Sequence, residues 1–386
     1  MSLLRSERFS AILLVAAAAV GLLLANTAAA PAAKAVESFH FGIPALGLDL
    51  SVGHWIKDGL LAIFFFIAAI ELRHELRHGE LDSPRKAIVP TVAAIGGVVV
   101  PALIFLVIVR DPELSQGWPI PTATDIAFAL GVLAIVGKGL PPTFRALLLA
   151  LAVIDDLIAI LIIAAFFTKD LAPIPLLIAL PVVLLFGWLS YRVTKRRRAW
   201  VIPLMILLGI AAWVLVYLSG IHPTIAGVAL GLIMADATGG RSRHAIEPWS
   251  NVVILPLFAI VAALVPIPST NLAGLSPAFW AVIIALPFGK LVGITGGAAI
   301  ATALARRSTG STAHLPLPDI IAVAGLGGIG FTVSLLMNEL AFEGQGSVAD
   351  EVTLAVIVAS VIAALVGGVL TSLRSRHYAR AATADR

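Results

Sequence analysis

The stretch ALLLALAVIDDLIAILIIAAFF, residues 146–167, is apolar throughout except for two adjacent aspartates, Asp155 and Asp156. About 20 consecutive apolar residues are enough to cross a bilayer as a helix. The stretch therefore predicts a transmembrane helix with two carboxyl groups near the middle of the membrane. One charged side chain there costs about 2.5–3.5 kcal/mol on insertion scales, and such residues mark ion and proton pathways. A positive species passing this point is the simplest reason to keep both.

The composition is that of a polytopic membrane protein. Hydrophobic residues make up 60% of the 386 residues and charged residues only 12%, whereas soluble domains carry roughly 25% charged residues. The net charge of +4 could suit nucleic acid, but the basic residues are placed by membrane topology, so we expect no nucleic-acid partner. There are no cysteines, which excludes disulfides and thiolate metal sites. We expect no cofactor.

The hydrophobic pattern predicts an all-α membrane protein with twelve transmembrane helices. The predicted spans are Phe9–Ala29, His54–Leu72, Ala87–Val109, Trp118–Val136, Thr143–Phe167, Ala172–Tyr191, Ala199–Leu218, His222–Ala235, Trp249–Val265, Pro277–Ala305, Asp319–Leu340 and Val352–Leu373. The polar segments between them are too short to form a soluble core. Residues 1–386 are therefore expected to form a single integral membrane domain.

The basic residues orient these spans. With a cytoplasmic N-terminus, most of the 26 lysines and arginines fall in cytoplasmic segments, as the positive-inside rule requires. The exceptions are Lys34, Lys57, Arg110 and Lys169 in outside loops, and Lys290 within a span. Both termini are thus predicted to be cytoplasmic. The first span has an alternative interpretation, because Arg5 and Arg8, an apolar stretch and Thr27–Ala30 also resemble a signal peptide.

The paired aspartates suit competition between protons and cations. Consecutive residues lie about 100° apart around a helix, so one carboxyl can face a cavity while the other lines its wall. A buried carboxyl is tolerated when it is protonated, and an ionised pair offers hard oxygen ligands to a hard cation. Asp155 and Asp156 are therefore the predicted ion-binding and proton-carrying residues, with Na⁺ as the metal ion. A purely structural pair is the alternative.

Lys290 is the second charge at membrane depth. It lies about 24 Å along a helix from Arg306, too far for its side chain to reach the cytoplasmic surface. It needs a buried partner, and the aspartate pair is the candidate. A wrongly drawn span, with Lys290 at a helix end, is the alternative. Nearby glycines are expected to let another helix approach closely; they are Gly289, Gly293, Gly296 and Gly297.

Two spans look interrupted. The fourth contains PIPTATDIAF, residues 119–128, where prolines remove backbone donors and threonines can bond the backbone. The eleventh contains GLGGIGFT, residues 325–332. Two broken spans in corresponding halves predict an inverted-repeat transporter with its site where they cross, and Asp125 would offset the positive ends of the half-helices. GLGGIG also matches a dinucleotide-binding pattern, but that pattern needs a strand before it and a βαβ unit.

Three further residues suggest a response to pH. Glu71 and Glu75 lie at the cytoplasmic end of the second span among arginines and histidines, and His222 begins the eighth span. Histidine titrates near neutrality, although a solvated helix end and an interfacial histidine also explain these residues. Separately, residues 39–50 contain Gly42, Pro44 and Gly47 and predict a short periplasmic β-hairpin, with a plain loop as the alternative.

At its most specific segments the chain resembles the NhaA family of sodium/proton antiporters. These segments are ATDIAFALG (123–131), AVIDDL (152–157), GK (289–290), GIHPTIAG (220–227), HWIKDG (54–59) and GIGFT (328–332). The resemblance covers nearly the whole chain and implies a bacterial inner-membrane protein that keeps its first helix. It implies twelve helices, with the fourth and eleventh unwound where they cross.

The resemblance also implies roles for individual residues. Asp155 and Asp156 match the ion-binding pair, Thr124 and Asp125 match residues of the unwound helix near the ion, and Lys290 matches the charge partner of Asp155 in the cytoplasm-open state. The implied activity is electrogenic export of Na⁺ or Li⁺ in exchange for more than one H⁺, serving pH and sodium homeostasis. The implied assembly, in the lipid bilayer, is a homodimer formed through the hairpin at residues 39–52.

Some features depart from the family pattern. His74 replaces a usual arginine, and the loop Arg241–Glu247 matches poorly, so the family's pH response does not carry over as a whole. A sodium-coupled symporter of an organic anion is the alternative function. An intramembrane aspartyl protease also uses two aspartates, but one of them lies in a Gly-x-Gly-Asp tetrad that this chain lacks. We therefore expect a transporter and not an enzyme.

Overall fold

A computed structural model describes residues 6–44, 47–79, 81–168, 170–195, 200–268, 274–309 and 316–384. The described chain is mostly helical and has one two-stranded sheet. In chain order the elements are α1 (Glu7–Ala25), α2 (Ala30–Glu37), β1 (His40–Ile43), β2 (Leu48–Ser51), α3 (Val52–His54), α4 (Leu61–His78), α5 (Pro84–Ile108), α6 (Pro112–Ser115), α7 (Ile126–Val136), α8 (Pro142–Phe166), α9 (Pro173–Lys195), α10 (Val201–Leu218), α11 (Thr224–Ile233), α12 (Asp236–Trp249), α13 (Leu255–Ala262), α14 (Pro277–Ile284), α15 (Lys290–Thr309), α16 (Leu317–Gly327), α17 (Phe331–Ala341) and α18 (Gly346–Ala384).

Within the described ranges, three π-helical turns connect helices end to end. Trp55–Leu60 joins α3 to α4, Ser250–Ile254 joins α12 to α13, and Ala285–Gly289 joins α14 to α15. A π-helical turn inserts one extra residue into an otherwise regular helix and is frequent at functional sites. The last of the three ends directly before Lys290, a detail that the sequence pattern did not predict.

By length and composition, eight of the described helices can cross a membrane, or ten if each of two bent helix pairs counts as one span. The two other predicted spans correspond to Val52–His78 and to α11. The first ends in the charged sequence ELRHELRH, and α11 has only 10 residues. The predicted span from Ala199 starts at a residue outside the described ranges, and α10 begins at Val201.

Both predicted interruptions are bends in the structure. Pro112–Thr122 meets α7 at 44°, and α16 meets α17 at 49°. In the first, Pro119 and Pro121 cannot donate backbone hydrogen bonds, and residues 123–125 adopt no regular structure. In the second, residues 328–330 separate the two halves, and two of the three are glycines, Gly328 and Gly330.

The chain divides into two compact units, and the first comprises residues 1–16, 80–159 and 265–386. Its most extensive packing is between α5 and α15, followed by α16 with α18. Close approach depends on glycine, because a Cβ at Gly96 or Gly293 would overlap the carbonyl group of the other. A Cβ at Gly297 would likewise overlap the backbone of Val92 and Ala93.

Three of the four glycines expected to serve helix packing do so. Gly289, Gly293 and Gly297 face α5, with Pro101, Gly96 and Val92 as their respective neighbours. The expectation for Gly296 was wrong, because a Cβ there would meet nothing within 4 Å. Gly296 lies about 100° around the helix from Gly297 and so points away from α5.

The second unit comprises residues 17–79 and 160–264. Its main helix pair is α4 with α11, where Gly227 lies against the backbone of Ala62 and Gly231 against that of Phe66. The predicted hairpin is confirmed, since β1 and β2 pair antiparallel with His40 opposite Ser51. Residues 45–46 of its turn lie outside the described ranges. Trp55 donates a 2.9 Å hydrogen bond to the Phe41 carbonyl and stacks on Trp213, which fastens the hairpin to this unit.

Candidate ion-exchange site

The paired aspartates lie at the middle of α8 and are buried. The exposed fraction is 1% for Asp155 and 6% for Asp156. The surrounding helix is apolar, and its neighbours Leu151, Ala152 and Ala159 are buried as well. The carboxylates are therefore shielded from solvent, and their compensation comes from other elements of the first unit.

Lys290 supplies that compensation. Its side chain is fully buried, and its ammonium group forms an ion pair with Oδ2 of Asp155. The same Nζ donates a 2.8 Å hydrogen bond to Oγ1 of Thr124. Asp156 also interacts electrostatically with Lys290. A buried charge is tolerated when it is paired and hydrogen-bonded. The positive charge of Lys290 therefore compensates the negative charge of both aspartates.

Thr124 joins the aspartate pair to the two breaks. Its Oγ1 lies 2.7 Å from Oδ2 of Asp155 and 2.7 Å from the carbonyl oxygen of Gly327. A hydroxyl has one proton to donate, so it serves one of these acceptors at a time. Thr124 is fully buried, and its neighbours come from α8, α15 and the end of α16.

Asp125 serves the half-helices rather than the aspartate pair. Its Oδ1 accepts a 2.9 Å bond from the N–H of Phe128 in α7, and its Oδ2 accepts bonds from the N–H (3.1 Å) and hydroxyl (2.5 Å) of Thr332 in α17. Its own N–H donates to the carbonyl of Ile329 at 2.6 Å. The carboxylate thus faces the N-termini of two half-helices, where partial positive charge accumulates.

Several residues at the breaks were not identified as functional from the sequence. Thr332 lies within the segment GLGGIGFT, residues 325–332, but nothing in the neighbouring sequence indicated its bond to Asp125. Ser360 of α18 accepts the N–H of Phe331 at 3.1 Å, and Ser334 donates to the carbonyl of Ile120 at 2.7 Å. The Gly327 carbonyl is a backbone group, which no side-chain pattern can reveal.

The acidic residues of the second span belong to a separate ionic group in the second unit. Glu71 pairs with Arg243 at 2.9 Å, and Arg243 lies 3.4 Å from Glu247. Asp236 pairs with Arg73 at 2.7 Å and with Arg77 at 3.1 Å. Glu75, one turn after Glu71, is buried. The sequence singled out Glu71 and Glu75 but not Asp236, whose partners are far away along the chain.

His222 does not belong to that group. Its Nε2 lies 3.5 Å from a carboxylate oxygen of Asp58, and its Nδ1 lies 2.7 Å from the hydroxyl of Thr224. The contacts of Gly227 and Gly231 show that α4 and α11 run in the same direction. His222 and Glu71 therefore lie at opposite ends of this helix pair, and the structure does not bring the three predicted pH-response residues together.

The central cluster can hold a cation or a proton. Within the described residues, Oδ1 of Asp155 accepts no hydrogen bond although it is buried. A buried carboxylate oxygen without a donor is unfavourable, and a proton or a cation would relieve it. The neighbouring carbonyl and hydroxyl oxygens, from Gly327 and Thr124, are the hard ligands that alkali cations accept.

Comparison with known proteins agrees with this chemistry. The family described as Na+/H+ antiporter 1 matches residues 1–371. The Na(+)/H(+) antiporter NhaA 2 of Clavibacter michiganensis subsp. michiganensis is 54% identical over 386 residues, covering 99% of this chain and 94% of the relative. The Na(+)/H(+) antiporter NhaA of Tropheryma whipplei (strain Twist) is 45% identical over 373 residues, covering 96% and 94%.

A third relative extends the range of organisms. The Na(+)/H(+) antiporter NhaA of Streptomyces avermitilis is 45% identical over 387 residues, with 97% of this chain and 82% of the relative covered. Members of this family are membrane transporters and not enzymes. The chain belongs to the Na+/H+ antiporter 1 family.

Proposed function

We propose that this chain exchanges cytoplasmic Na⁺ or Li⁺ for external protons, driven by the proton gradient. Asp155 and Asp156 bind the cation when they are ionised and carry protons when they are not. Thr124 and the Gly327 carbonyl complete the ion site, and Asp125 holds the two half-helices that present it. By resemblance to its family, more than one proton enters per cation, so the exchange is electrogenic.

The observation that carries this proposal is that two groups share one carboxylate oxygen. Lys290 and Thr124 both contact Oδ2 of Asp155, so a cation arriving there must displace the lysine from it. The charge of Lys290 therefore stands in for the cation when the site is empty. Asp155 is the residue that exchanges Lys290 for Na⁺, and Asp156 is the ligand that stays with the ion.

The transport cycle follows from this competition. In the cytoplasm-open state, the protonated aspartates release their protons and bind Na⁺ in their place. The loaded site then faces the outside, where a high proton concentration displaces Na⁺. The protonated site returns inward and is ready for the next cation. Each state leaves the buried carboxylates compensated by a proton, a cation or Lys290, which is what burial demands.

The topology proposed for this cycle has twelve spans, a retained first helix and both termini in the cytoplasm. The two bent helix pairs cross at their breaks, as parts of an inverted repeat. Support comes from the contacts between the breaks, namely Asp125 N–H to Ile329 and Thr124 to Gly327. Irregular backbone at membrane depth is tolerated where it is buried in protein or lines a cavity.

Two further proposals rest on the family resemblance. Glu71, Glu75 and His222 contribute to the pH response, and the chain forms a homodimer in the lipid bilayer through β1 and β2. Support for the second is that β1 exposes Phe41 and Ile43, with Phe39 beside it. Deleting residues 40–51 should convert the dimer to a monomer in native mass spectrometry, and an unchanged dimer would contradict this assembly.

Proteoliposomes provide the test of exchange itself. Addition of Na⁺ or Li⁺ should drive proton efflux and a transient current on a solid-supported membrane, with K⁺ as the control cation. No proton movement with Na⁺ would overturn the proposal. The sodium-coupled symporter finds no support, because the relatives' names describe antiport and Lys290, the basic group offered to an organic anion, is paired with Asp155.

A further inference from the structure

One further buried carboxylate in the first unit, that of Asp319, has no place in the exchange mechanism. Asp319 lies in the first turn of α16, and its side chain is fully buried. Its Oδ1 accepts a 2.6 Å bond from Nε of Arg374, and its Oδ2 accepts a 2.6 Å bond from the hydroxyl of Tyr378. Each carboxylate oxygen therefore has a dedicated donor on α18.

The two donors are held in place by each other. Arg374 and Tyr378 are four residues apart on α18 and so lie on one face of that helix. The guanidinium lies over the tyrosine ring at 5.3 Å from its centroid. Arg374 thus contacts the aromatic face and the carboxylate at once, a geometry that lysine would not reproduce. The three side chains form a rigid cluster between α16 and α18.

The cluster and the ion site lie at opposite ends of one short helix. Asp319 stands near the start of α16, and Gly327 is its last residue. They are eight positions apart, or about 12 Å along the axis. The Gly327 carbonyl accepts the Thr124 hydroxyl. A shift of Asp319 along α18 therefore moves a proposed ion ligand by a similar amount.

Helix α18 fixes the other parts of this broken span as well. Gly325 and Gly367 lie so close that a Cβ at either would overlap the backbone of the other helix. Ser360 accepts the first N–H of α17. The pair of helices α16 and α18 therefore has a backbone-to-backbone contact near the break. At the other end of α16, the hydrogen bonds of Asp319 to Arg374 and Tyr378 hold this helix against α18.

We propose that Asp319, Arg374 and Tyr378 are positioning residues that set the Na⁺ affinity of the exchange site through α16. The inference rests on the exchange function proposed above. Loosening the cluster should misplace the Gly327 carbonyl and Thr124, while leaving Asp155, Asp156 and Lys290 chemically intact. Cation affinity should fall, and the maximal rate at saturating Na⁺ should remain.

The test uses two variants of different severity and two matched controls in proteoliposomes. Arg374→Gln removes the charged donor, and Tyr378→Phe removes a single hydroxyl. The controls are Arg376→Gln, at an exposed arginine of the same helix, and Tyr191→Phe, at an exposed tyrosine of α9. A coupling free energy of about 0.5–2 kcal/mol between the cluster and the ion site corresponds to a rise of about 2- to 30-fold in the Na⁺ concentration for half-maximal exchange. At fixed subsaturating Na⁺, activation should shift to higher pH, because a weaker cation competes only when fewer protons are present.

The outcomes separate this inference from the proposed function. Raised half-maximal Na⁺ in both variants, with controls like the native protein, supports a positioning role. If the native protein exchanges Na⁺ and both variants have the same half-maximal Na⁺ concentration as the controls, this inference is wrong and the proposed function stands. A change in the thermal stability of the variants does not alter that conclusion. If Arg374→Gln does not fold, Tyr378→Phe decides the matter by itself. A native protein that does not exchange Na⁺ overturns both proposals.

Discussion

Asp125 and Thr332 are joined by two hydrogen bonds, from the backbone N–H of Thr332 at 3.1 Å and from its hydroxyl at 2.5 Å. The residues are 207 positions apart in the chain, yet one carboxylate caps the half-helix of each. Breaking a membrane helix leaves N–H groups without intrahelical partners. The carboxylate of Asp125 accepts hydrogen bonds from such N–H groups at the starts of both half-helices. This arrangement lets irregular backbone persist beside the aspartate pair.

Replacing Asp125 by alanine should destabilise the protein. The N–H groups of Phe128 and Thr332 would lose their acceptor, and each unsatisfied buried group costs about 1–3 kcal/mol. Thr332→Val removes only the hydroxyl bond and leaves the N–H bond, so its effect should be smaller. Thermal unfolding in detergent, followed by tryptophan fluorescence, should give the order native, Thr332→Val, Asp125→Ala from most to least stable. Equal melting temperatures for native protein and Asp125→Ala would contradict the capping role.

Removing Lys290 should expose the cost of the buried aspartates. Breaking one side of a buried ion pair costs about 3–5 kcal/mol, so Lys290→Ala should unfold at a clearly lower temperature. Adding Asp155→Asn should recover part of the loss, because it removes the uncompensated charge. Acidic buffer should also reduce the loss, since protonation neutralises the carboxylate. If the double variant is less stable than Lys290→Ala, compensating the charge of Asp155 is not the main role of Lys290.

The same lysine offers a test of proton carriage. Lys290→Arg keeps a positive charge but does not readily release a proton. If charge compensation is the role of Lys290, the variant should retain electrogenic exchange, at a reduced rate because the guanidinium is larger than the ammonium. Currents on a solid-supported membrane measure this. Complete loss of current with intact folding would make Lys290 an obligatory proton carrier instead.

Neighbouring glycines on α15 provide a packing test with a built-in control. A Cβ at Gly297 would overlap the backbone of α5, whereas one at Gly296 would meet open space. Gly297→Ala should therefore destabilise the protein by about 1–3 kcal/mol through overpacking. Gly296→Ala should be neutral, or more stable by up to about 1 kcal/mol through helix propensity. Comparable melting temperatures for the two variants would refute the close approach of α5 and α15.

Much of the architecture follows from the sequence because lipid imposes simple rules. Apolar length predicted the long helices, and the prolines before Asp125 and the glycines of residues 325–330 predicted both bends. Glycine and proline also predicted the hairpin at residues 40–51. These are local effects, in which the residue type itself restricts the backbone.

Other features depend on partners that are distant in sequence. Thr332, Ser360 and the Gly327 carbonyl act through bonds to other elements, and nothing local marks them. The spacing of glycines on α15 gave no means of telling Gly296 from Gly297, because only the position of α5 distinguishes them. Likewise, His222 and Glu71 suggested one pH-responsive group, while the pairing of α4 with α11 separates them.

The proposed exchange depends on competition between Na⁺ and protons for Asp155 and Asp156, and the release of protons on Na⁺ binding measures that competition. Isothermal titration of the purified protein, in two buffers of different ionisation enthalpy, counts the protons released per Na⁺ bound. The account predicts release by the native protein, Na⁺ binding that weakens as pH falls, and no Na⁺ binding by Asp156→Asn. Asp82→Asn, at an exposed aspartate paired with Lys86, should behave like the native protein. Na⁺ binding without proton release, or normal binding by Asp156→Asn, would contradict the account.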